Sequence, residues 1–313
     1  MKEFAHIPVM LEECMSFLNV KDGGIYFDGT LGGGGHSYEI LSRSSPDGKL
    51  IATDLDEQAI EAASKKLSAF QKRFKIFKSN YKNFEEVLAL AGVDSLDGVL
   101  LDFGVSSYQL DNAERGFSYM KPEAPLDMRM DVNASLTAEK VLNGYSQKDL
   151  TKILKEYGEE KFASTIAANV VKAREKKPLT TCGEFSDIVE NSIPAKFRQN
   201  GPCARKSFQA VRIEVNGELD GLYDCVLGLT RRLKKGGRIA ILTFHSLEDR
   251  IVKQAFKFLE CDCICDKSLP VCVCGKKREI EIITKKPVTA SVNEMAVNSR
   301  SKCAKLRVAE KII

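Results

Sequence analysis

The chain of 313 residues contains no tryptophan, three histidines and nine prolines. No apolar run approaches the ~18 residues of a membrane-spanning helix, and the first residues lack the apolar segment of a signal peptide. We therefore expect a cytoplasmic protein that neither crosses nor binds a membrane. With 43% hydrophobic and 29% charged residues, the composition is typical of a globular chain with one large or two modest domains.

Two common nucleotide-binding signatures are also missing. A P-loop ending in Gly-Lys-Ser/Thr does not occur, and no three glycines have the i, i+2, i+5 spacing of the dinucleotide-binding fingerprint. Gly32 and Gly34 begin such a pattern, but Ser37 stands where the third glycine would be. This spacing argues against a nicotinamide-dependent oxidoreductase, a rival that would share the fold class.

A glycine-rich loop follows the short apolar run at 25–28. Five of the seven residues in 29–35 are glycine. A strand, a glycine turn and a helix start together form a cradle for a nucleotide at the carboxyl end of a sheet. Asp28, Gly32 and Gly34 give the acidic-x-x-x-Gly-x-Gly pattern that is typical of S-adenosylmethionine-dependent methyltransferases. The loop backbone would approach the methionine part of this cofactor, and the Asp28 carboxylate would meet its ammonium group.

Two further acids end predicted strands. Asp54 closes the strand at 49–54 and lies nineteen residues after Gly35. An acid about 20 residues beyond a glycine turn can accept hydrogen bonds from ribose hydroxyls. Asp102 closes the fourth strand, which in a doubly wound sheet ends beside the cofactor loop. Asp102 and the residues after it are therefore expected to face the reaction centre.

Strand and helix signals alternate along the first half of the chain, which predicts an α/β fold with a mostly parallel, doubly wound sheet. The predicted strands are 25–28, 49–54, 74–78, 97–102, 238–243, 278–284 and 306–309. Helical signals alone fill the middle of the chain, up to a polar turn at Gln199–Pro202. We predict one domain from residues 1–112 and 205–313, with an inserted helical domain at 113–204.

Charge is unevenly spread along the chain. Residues 1–149 contain 16 Lys and Arg against 23 Asp and Glu, whereas residues 150–313 contain 31 against 20. Such asymmetry is compatible with a basic face for a polyanion, although a solvated surface explains it equally well. The tail residues Arg300, Lys302, Lys305 and Arg307 are candidates for contacts with phosphates.

The ten cysteines include a dense group of five, Cys261, Cys263, Cys265, Cys272 and Cys274. Thiolates grouped in this way can hold zinc, but the usual spacing is Cys-x2–4-Cys, which Cys-x-Cys does not match. The spacing therefore favours a loop of reduced or redox-sensitive thiols over zinc, and no metal centre is expected.

The chain resembles the bacterial small-subunit ribosomal RNA cytosine-N4 methyltransferases of the MraW (RsmH) family along nearly its whole length. The matching blocks include Asp28–Ser37, Leu101–Ser107, Arg115–Ser118, Pro125–Asp131, Thr243–Arg250 and Asn298–Arg307. The resemblance implies a Rossmann-like class I methyltransferase domain with a helical insertion. It also implies methylation of the N4 amine of one cytidine in the decoding region of 16S ribosomal RNA, within the small ribosomal subunit.

By matching positions, the resemblance implies contacts with S-adenosyl-L-methionine from Gly34, Gly35, His36, Asp54, Tyr81, Asp102 and Gln109. The catalytic group is left open among Asp102, the carbonyls of residues 103–105, Ser106 and His245. Candidates to stack on an unpaired cytosine are Phe103, Phe117, Phe244 and His245. Two alternatives also remain open: a ribosome-assembly factor without catalysis, and a homodimer rather than a monomer.

Overall fold

The computed structural model describes residues 8–198, 203–266 and 271–313. The predicted turn at Gln199–Pro202 lies outside these residues. The chain divides into two units, one formed by the residues up to Gly104 together with Leu219–Ile313, and one formed by Val105–Glu218. The second unit begins before, and ends after, the helical insertion expected at 113–204. Its far boundary extends because the helix after residue 204 packs within the helical core.

The first unit contains seven strands. They are β1 Ile25–Asp28, β2 Lys49–Asp54, β3 Phe74–Lys78, β4 Leu96–Asp102, β5 Leu233–Thr243, β6 Ile280–Ile282 and β7 Lys305–Lys311. They form one sheet in the order β3-β2-β1-β4-β5-β7-β6. Strands β1 to β5 are parallel, and β7 is antiparallel to both of its neighbours. The predicted α/β fold with a mostly parallel sheet is confirmed.

Helices account for most of the remaining structure. They are α1 Leu11–Leu18, α2 Gly35–Arg43, α3 Glu57–Lys66, α4 Phe84–Ala91, α5 Ser107–Asp111, α6 Ala138–Gly144, α7 Gln147–Glu156, α8 Ala163–Arg174, α9 Cys182–Ser192, α10 Arg205–Asn216, α11 Leu222–Arg231, α12 Ser246–Glu260 and α13 Val292–Val297. None of these helices is both long and apolar enough to cross a membrane.

The sheet is buried on both faces, as alternating side chains along its strands show. On β1, Tyr26 packs on the face covered by α1, α2 and α3, whereas Phe27 packs on the face covered by α4, α11 and α12. On β4, Leu100 packs on the same face as Tyr26, and Leu101 packs on the same face as Phe27. Successive side chains of a strand point to opposite faces, so near-continuous apolar strands are what a doubly covered parallel sheet requires.

Strand β5 begins five residues before the predicted strand at 238–243, so that the Lys-Gly-Gly sequence at 235–237 lies inside it. Leu96 pairs with Leu233, but Gly98 pairs with Arg238, so the ladder skips residues between the two pairs. Gly236 has a φ of 77° at this bulge, where glycine is favoured. The glycines therefore bend the strand without ending it.

The second unit has a separate apolar core built by α6 to α10 and the chain before them. Its buried residues include Leu150 and Leu154 of α7, Ile166 of α8 and Phe185 of α9. The Phe185 and Phe208 rings lie 5.2 Å apart between centroids. Burial of these side chains against one another gives the helical unit its own source of stability.

Candidate active site

Three acidic residues end neighbouring strands at the carboxyl edge of the sheet. Asp28 ends β1, Asp54 ends β2 and Asp102 ends β4, and β1 lies between the other two strands. Parallel strands bring these ends to the same edge, where ligands of open α/β sheets bind. The structure thus brings together the three acids that the sequence predicted for the site.

The Asp28 side chain accepts hydrogen bonds from the glycine loop and from α2. The side chain is buried, Oδ1 accepts a hydrogen bond from the Thr30 N–H (3.1 Å), and Oδ2 accepts one from the Ser37 hydroxyl (2.6 Å). Burial raises the pKa of the Asp28 carboxyl to about 6, against the opposing effect of the Ser37 bond. A direct contact with the cofactor ammonium stays a prediction, whereas the bonds to the loop are present.

The loop glycines pack closely against other parts of the chain, where side chains would collide. Gly34 has a φ of 73°, and a Cβ there would meet Ala63 at 3.0 Å. A Cβ on Gly35 would come within 2.2 Å of the Pro8 ring. The Gly32 N–H donates to Asp54 Oδ2 (2.8 Å), which turns the loop toward β2. The loop therefore forms a narrow backbone cradle, which suits the methionine part of S-adenosylmethionine.

Asp54 connects the loop to the start of α3. Oδ1 accepts from the Asp56 N–H (2.9 Å), while Oδ2 holds Gly32. Burial raises the pKa of the Asp54 carboxyl despite these two bonds. A carboxylate offers about four acceptor positions, so these bonds leave acceptor capacity for the predicted contact with ribose.

Asp102 carries a buried oxygen that has no hydrogen-bond partner among the described residues. Its backbone N–H donates to Thr30 Oγ1 (2.6 Å), but Oδ1 is enclosed and unpaired, although the side chain as a whole is 22% exposed. Burial, reinforced by the charges of Asp28 and Glu248, raises the pKa of the Asp102 carboxyl to about 8. Unpaired buried polar atoms are uncommon and mark a site made for a ligand or a proton.

His36 and Tyr81 flank this edge of the sheet. His36 Nε2 lies 3.1 Å from the Val9 carbonyl oxygen, and Nδ1 lies 3.7 Å from Asp102 Oδ2. The Tyr81 ring lies 5.5 Å from the Phe103 ring, and Tyr81 Cβ would be 2.8 Å from a Cβ at Gly29. Both side chains are therefore in the region that the cofactor loop defines.

The other predicted catalytic residues act as helix caps in this structure. His245 precedes α12, where Nδ1 accepts from the Glu248 N–H (3.3 Å) and the Glu248 carboxylate accepts from the His245 N–H. In the second unit, Ser106 and Gln109 form an equivalent reciprocal cap of α5. Their catalytic or cofactor roles stay predictions.

The aromatic candidates differ in exposure. Phe103 is buried in the core of the first unit and Phe117 in that of the second. Phe244 is partly exposed, and it lies 3.5 Å from where a Cβ on Gly104 would be. A ring buried in a core cannot stack on a base without moving, so Phe244 is the candidate that the static geometry favours.

Two supporting residues were missed by sequence reasoning. Thr30 uses its N–H for Asp28 and its hydroxyl for the Asp102 backbone, and Ser37 closes the other side of Asp28. An Asp whose side chain accepts from the N–H two residues ahead is a recognised local turn. The spacing of Asp28 and Thr30 was therefore an available signal for the fixed shape of the loop.

Four of the five clustered cysteines converge, namely Cys263, Cys265, Cys272 and Cys274. The fifth, Cys261, instead donates from Sγ to the Phe258 carbonyl (3.0 Å). The Cys-x-Cys spacing did not favour this convergence.

Residues 3–312 match the sequence model of the MraW methylase family. The chain belongs to this family. Ribosomal RNA small subunit methyltransferase H of Clostridium botulinum (strain Kyoto / Type A2) is 52% identical over 310 residues, which cover 99% of this chain and 100% of that protein. The protein of the same name in Clostridioides difficile (strain 630) is 51% identical over 311 residues, with the same two coverages.

The methylase uses S-adenosyl-L-methionine, which supplies an activated methyl group on a sulfonium. Its first unit has the Rossmann-like class I methyltransferase fold. The glycine cradle and the unpaired Asp102 oxygen fit this cofactor, because the cofactor carries an extended main chain and positive charge. The residues predicted to hold it that lie around the loop and the strand ends are Gly32, Gly34, Gly35, His36, Asp54, Tyr81 and Asp102, and their contacts with the cofactor stay predictions.

We predict that Asp54→Ala weakens S-adenosylmethionine binding about 10- to 150-fold. A lost hydrogen bond to a charged group is worth roughly 1.5–3 kcal/mol. Calorimetric titration checks this, with Asp22→Ala as the control that removes an exposed acid before β1. Because Asp54 also holds Gly32, thermal unfolding of both variants must accompany the titration. Unchanged affinity in a folded Asp54→Ala protein would contradict the ribose assignment.

A second prediction concerns pH. The pKa of the Asp102 carboxyl is about 8 in the fold and ~3.9 in an unfolded chain, so the fold retains a proton that the unfolded chain releases. The free energy of unfolding should therefore fall as pH rises from 4 to 8, and less steeply in Asp102→Asn. Denaturant unfolding of cofactor-free protein at several pH values measures both slopes. Parallel curves for the two proteins would refute the raised pKa.

Proposed function

We propose that this methylase transfers the methyl group of S-adenosylmethionine to the N4 amine of a cytidine in the decoding region of 16S ribosomal RNA, within the small subunit and in the cytoplasm. Relatives that match over their full length are named as small-subunit ribosomal RNA methyltransferases. The observation that carries the chemical part is the unpaired, buried oxygen of Asp102 beside the cofactor loop.

The exocyclic amine of cytosine is a weak nucleophile because its lone pair is delocalised into the ring. A positioned acceptor for one N–H localises that pair as the new bond forms, and transfer by in-line displacement then depends mainly on alignment. Asp102 Oδ1 is a suitable acceptor because no other group in the described part of the chain occupies it. The base must also leave its stack to reach such a buried group.

A nearby cation favours the negatively charged form of Asp102. At neutral pH a carboxyl with a pKa of about 8 is mostly protonated. Positive charge favours the ionised form, so a bound sulfonium would lower the pKa of Asp102 and leave it ready to accept a proton. Of the rival acceptors, Ser106 Oγ and His245 Nδ1 each already accept a backbone N–H, whereas buried His245 Nε2 has no hydrogen bond and lies 3.1 Å from Glu248 Oε1.

The strand order brings basic residues to the edge of the sheet where we expect the RNA to bind. Because β7 is antiparallel to β5, Lys305 at its start pairs with Thr243 at the end of β5. The tail residues Arg300, Lys302 and Lys305 therefore lie at the same edge of the sheet as the three acids. Arg307 differs, because it is buried in an ion pair with Asp249 (2.5 Å) and holds β7 rather than a phosphate.

The distribution of charge favours the tail over the helical unit as the part of the chain that binds RNA phosphates. Residues 105–218 contain 17 Lys and Arg against 16 Asp and Glu, a balance of +1, whereas residues 219–313 contain 19 against 11, a balance of +8. Neutralising phosphates is the largest general source of affinity for nucleic acid. We infer that the tail holds the backbone, while the helical unit contributes recognition by shape.

The catalytic prediction is that Asp102→Asn lowers the single-turnover rate of methyl transfer about 10²- to 10⁴-fold at saturating cofactor, the usual contribution of a positioned acid–base group. Asp94→Ala, an exposed acid before the other end of β4, serves as control and should retain the wild-type rate. Mass spectrometry of small-subunit RNA measures the rate and identifies the modified nucleoside. Wild-type turnover by Asp102→Asn would place the acceptor elsewhere.

Replacing Arg300, Lys302 and Lys305 together by Ala should weaken RNA binding and flatten its dependence on salt, by roughly one unit of log–log slope for each phosphate that is no longer bound. Affinity for S-adenosylmethionine should stay unchanged. The matched control replaces Lys21, Lys49 and Lys235, which lie near the amino ends of strands at the opposite edge. Equal effects of the two triple variants on affinity and salt slope would show only a general charge effect and refute the tail as the site of RNA binding.

A further inference from the structure

The chain between α12 and β6 brings four cysteine sulfurs to one point. Cys263 Sγ lies 3.5 Å from Cys272 Sγ and 3.9 Å from Cys274 Sγ. Cys272 Sγ lies 3.6 Å from Cys274 Sγ and 3.9 Å from Cys265 Sγ. All four cysteines are free thiols, and their sulfurs lie within 4.8 Å of one another.

These distances fit one tetrahedral metal ion. Zinc binds thiolates at about 2.3 Å, which places the four sulfurs of a tetrahedron about 3.8 Å apart. Four hydrogen-bonded thiols have no reason to adopt this spacing on all sides, and an iron–sulfur cluster would place its thiolates on different iron atoms, farther apart. We propose that Cys263, Cys265, Cys272 and Cys274 bind a single structural Zn²⁺.

Backbone N–H groups around the sulfurs favour thiolates. The Cys265 N–H donates to Cys263 Sγ (3.4 Å), the Val273 N–H to Cys265 Sγ (3.3 Å), and the Ile264 N–H to Cys274 Sγ (3.4 Å). Each Cys-x-Cys pair therefore folds into a short loop whose amides point at sulfur. A pattern read only as cysteine spacing does not reveal these donors.

Thiolates this close repel one another, and a bound Zn²⁺ would remove the repulsion as the thiol protons pass to solvent.

The apolar side chains that are described near the four cysteines are exposed. Ile264, Val271 and Val273 are 56%, 71% and 77% exposed, so these three side chains form no local core. Metal ligation commonly replaces such a core in short segments. The zinc therefore has a structural role, which is to fix the connection between α12 and β6. Four protein ligands complete its coordination, so no position is left open for catalysis.

Cys261 provides a matched control. It lies two residues before the first ligand, but its sulfur donates to the Phe258 carbonyl and takes no part in the group. The experiment measures zinc by mass spectrometry in full-length protein purified under reducing conditions, for wild type, Cys261→Ser, Cys263→Ser and Cys272→Ser. We expect one zinc per chain in the first two proteins and a loss of at least tenfold in occupancy in the last two.

Cobalt titration of the metal-stripped wild-type protein tests the ligand set separately. Thiolate-bound tetrahedral Co²⁺ should give intense visible absorption that saturates at one ion per chain and disappears on adding zinc. S-adenosylmethionine binding by each variant shows that the first unit is folded. Zinc content equal in Cys261→Ser and Cys263→Ser, or wild-type protein that binds neither metal, would overturn the proposal. Disulfides among these four cysteines in freshly purified wild-type protein would overturn it in favour of a redox pair.

Discussion

Burial of three carboxylates at one edge of the sheet is the constraint on which the rest of the site depends. Asp28 is fully buried, and burial raises the pKa of all three acids, Asp28, Asp54 and Asp102. Two of them are satisfied by the loop and the helix start that they hold. The third, Asp102, keeps an oxygen without a hydrogen bond, which lowers the stability of the fold at its candidate ligand site. The positive charge of a bound cofactor would favour the ionised forms that burial disfavours.

The strand order separates two kinds of charge along this edge. Three acids lie at the ends of β1, β2 and β4, in the middle of the sheet, whereas Arg300 and the exposed Lys302 precede β7 and Lys305 begins it. The reversed direction of β7 matters here, because a parallel seventh strand would place Lys305 at the opposite edge. One topological feature thus brings acidic and basic residues to neighbouring positions of the first unit, as the proposed binding of a cationic cofactor and a polyanionic substrate requires.

Much of the fold was predictable because strands buried on both faces leave continuous apolar runs. The predicted bounds of β1, β2 and β3 agree with the structure, whereas β5 is longer because Gly236 forms a bulge and not a turn. The site was only partly predictable. Glycine spacing and acids at strand ends indicated the cradle, but the cap formed by His245 and the convergence of the cysteines depend on side-chain and backbone directions. Those directions follow from local geometry that residue spacing does not specify.

Residues that fix the geometry of the site can be distinguished from residues that take part in the reaction by the partners of their polar atoms. Thr30, Ser37 and His245 Nδ1 use their polar atoms on other parts of the protein, so they fix geometry. Asp102 Oδ1 is the contrasting case, because it has no hydrogen-bond partner among the described residues. A polar atom that folding leaves unsatisfied is more informative than a polar residue in the right region. By this criterion Asp102 differs from Ser106, whereas buried His245 Nε2 also lacks a hydrogen bond and lies 3.1 Å from Glu248 Oε1.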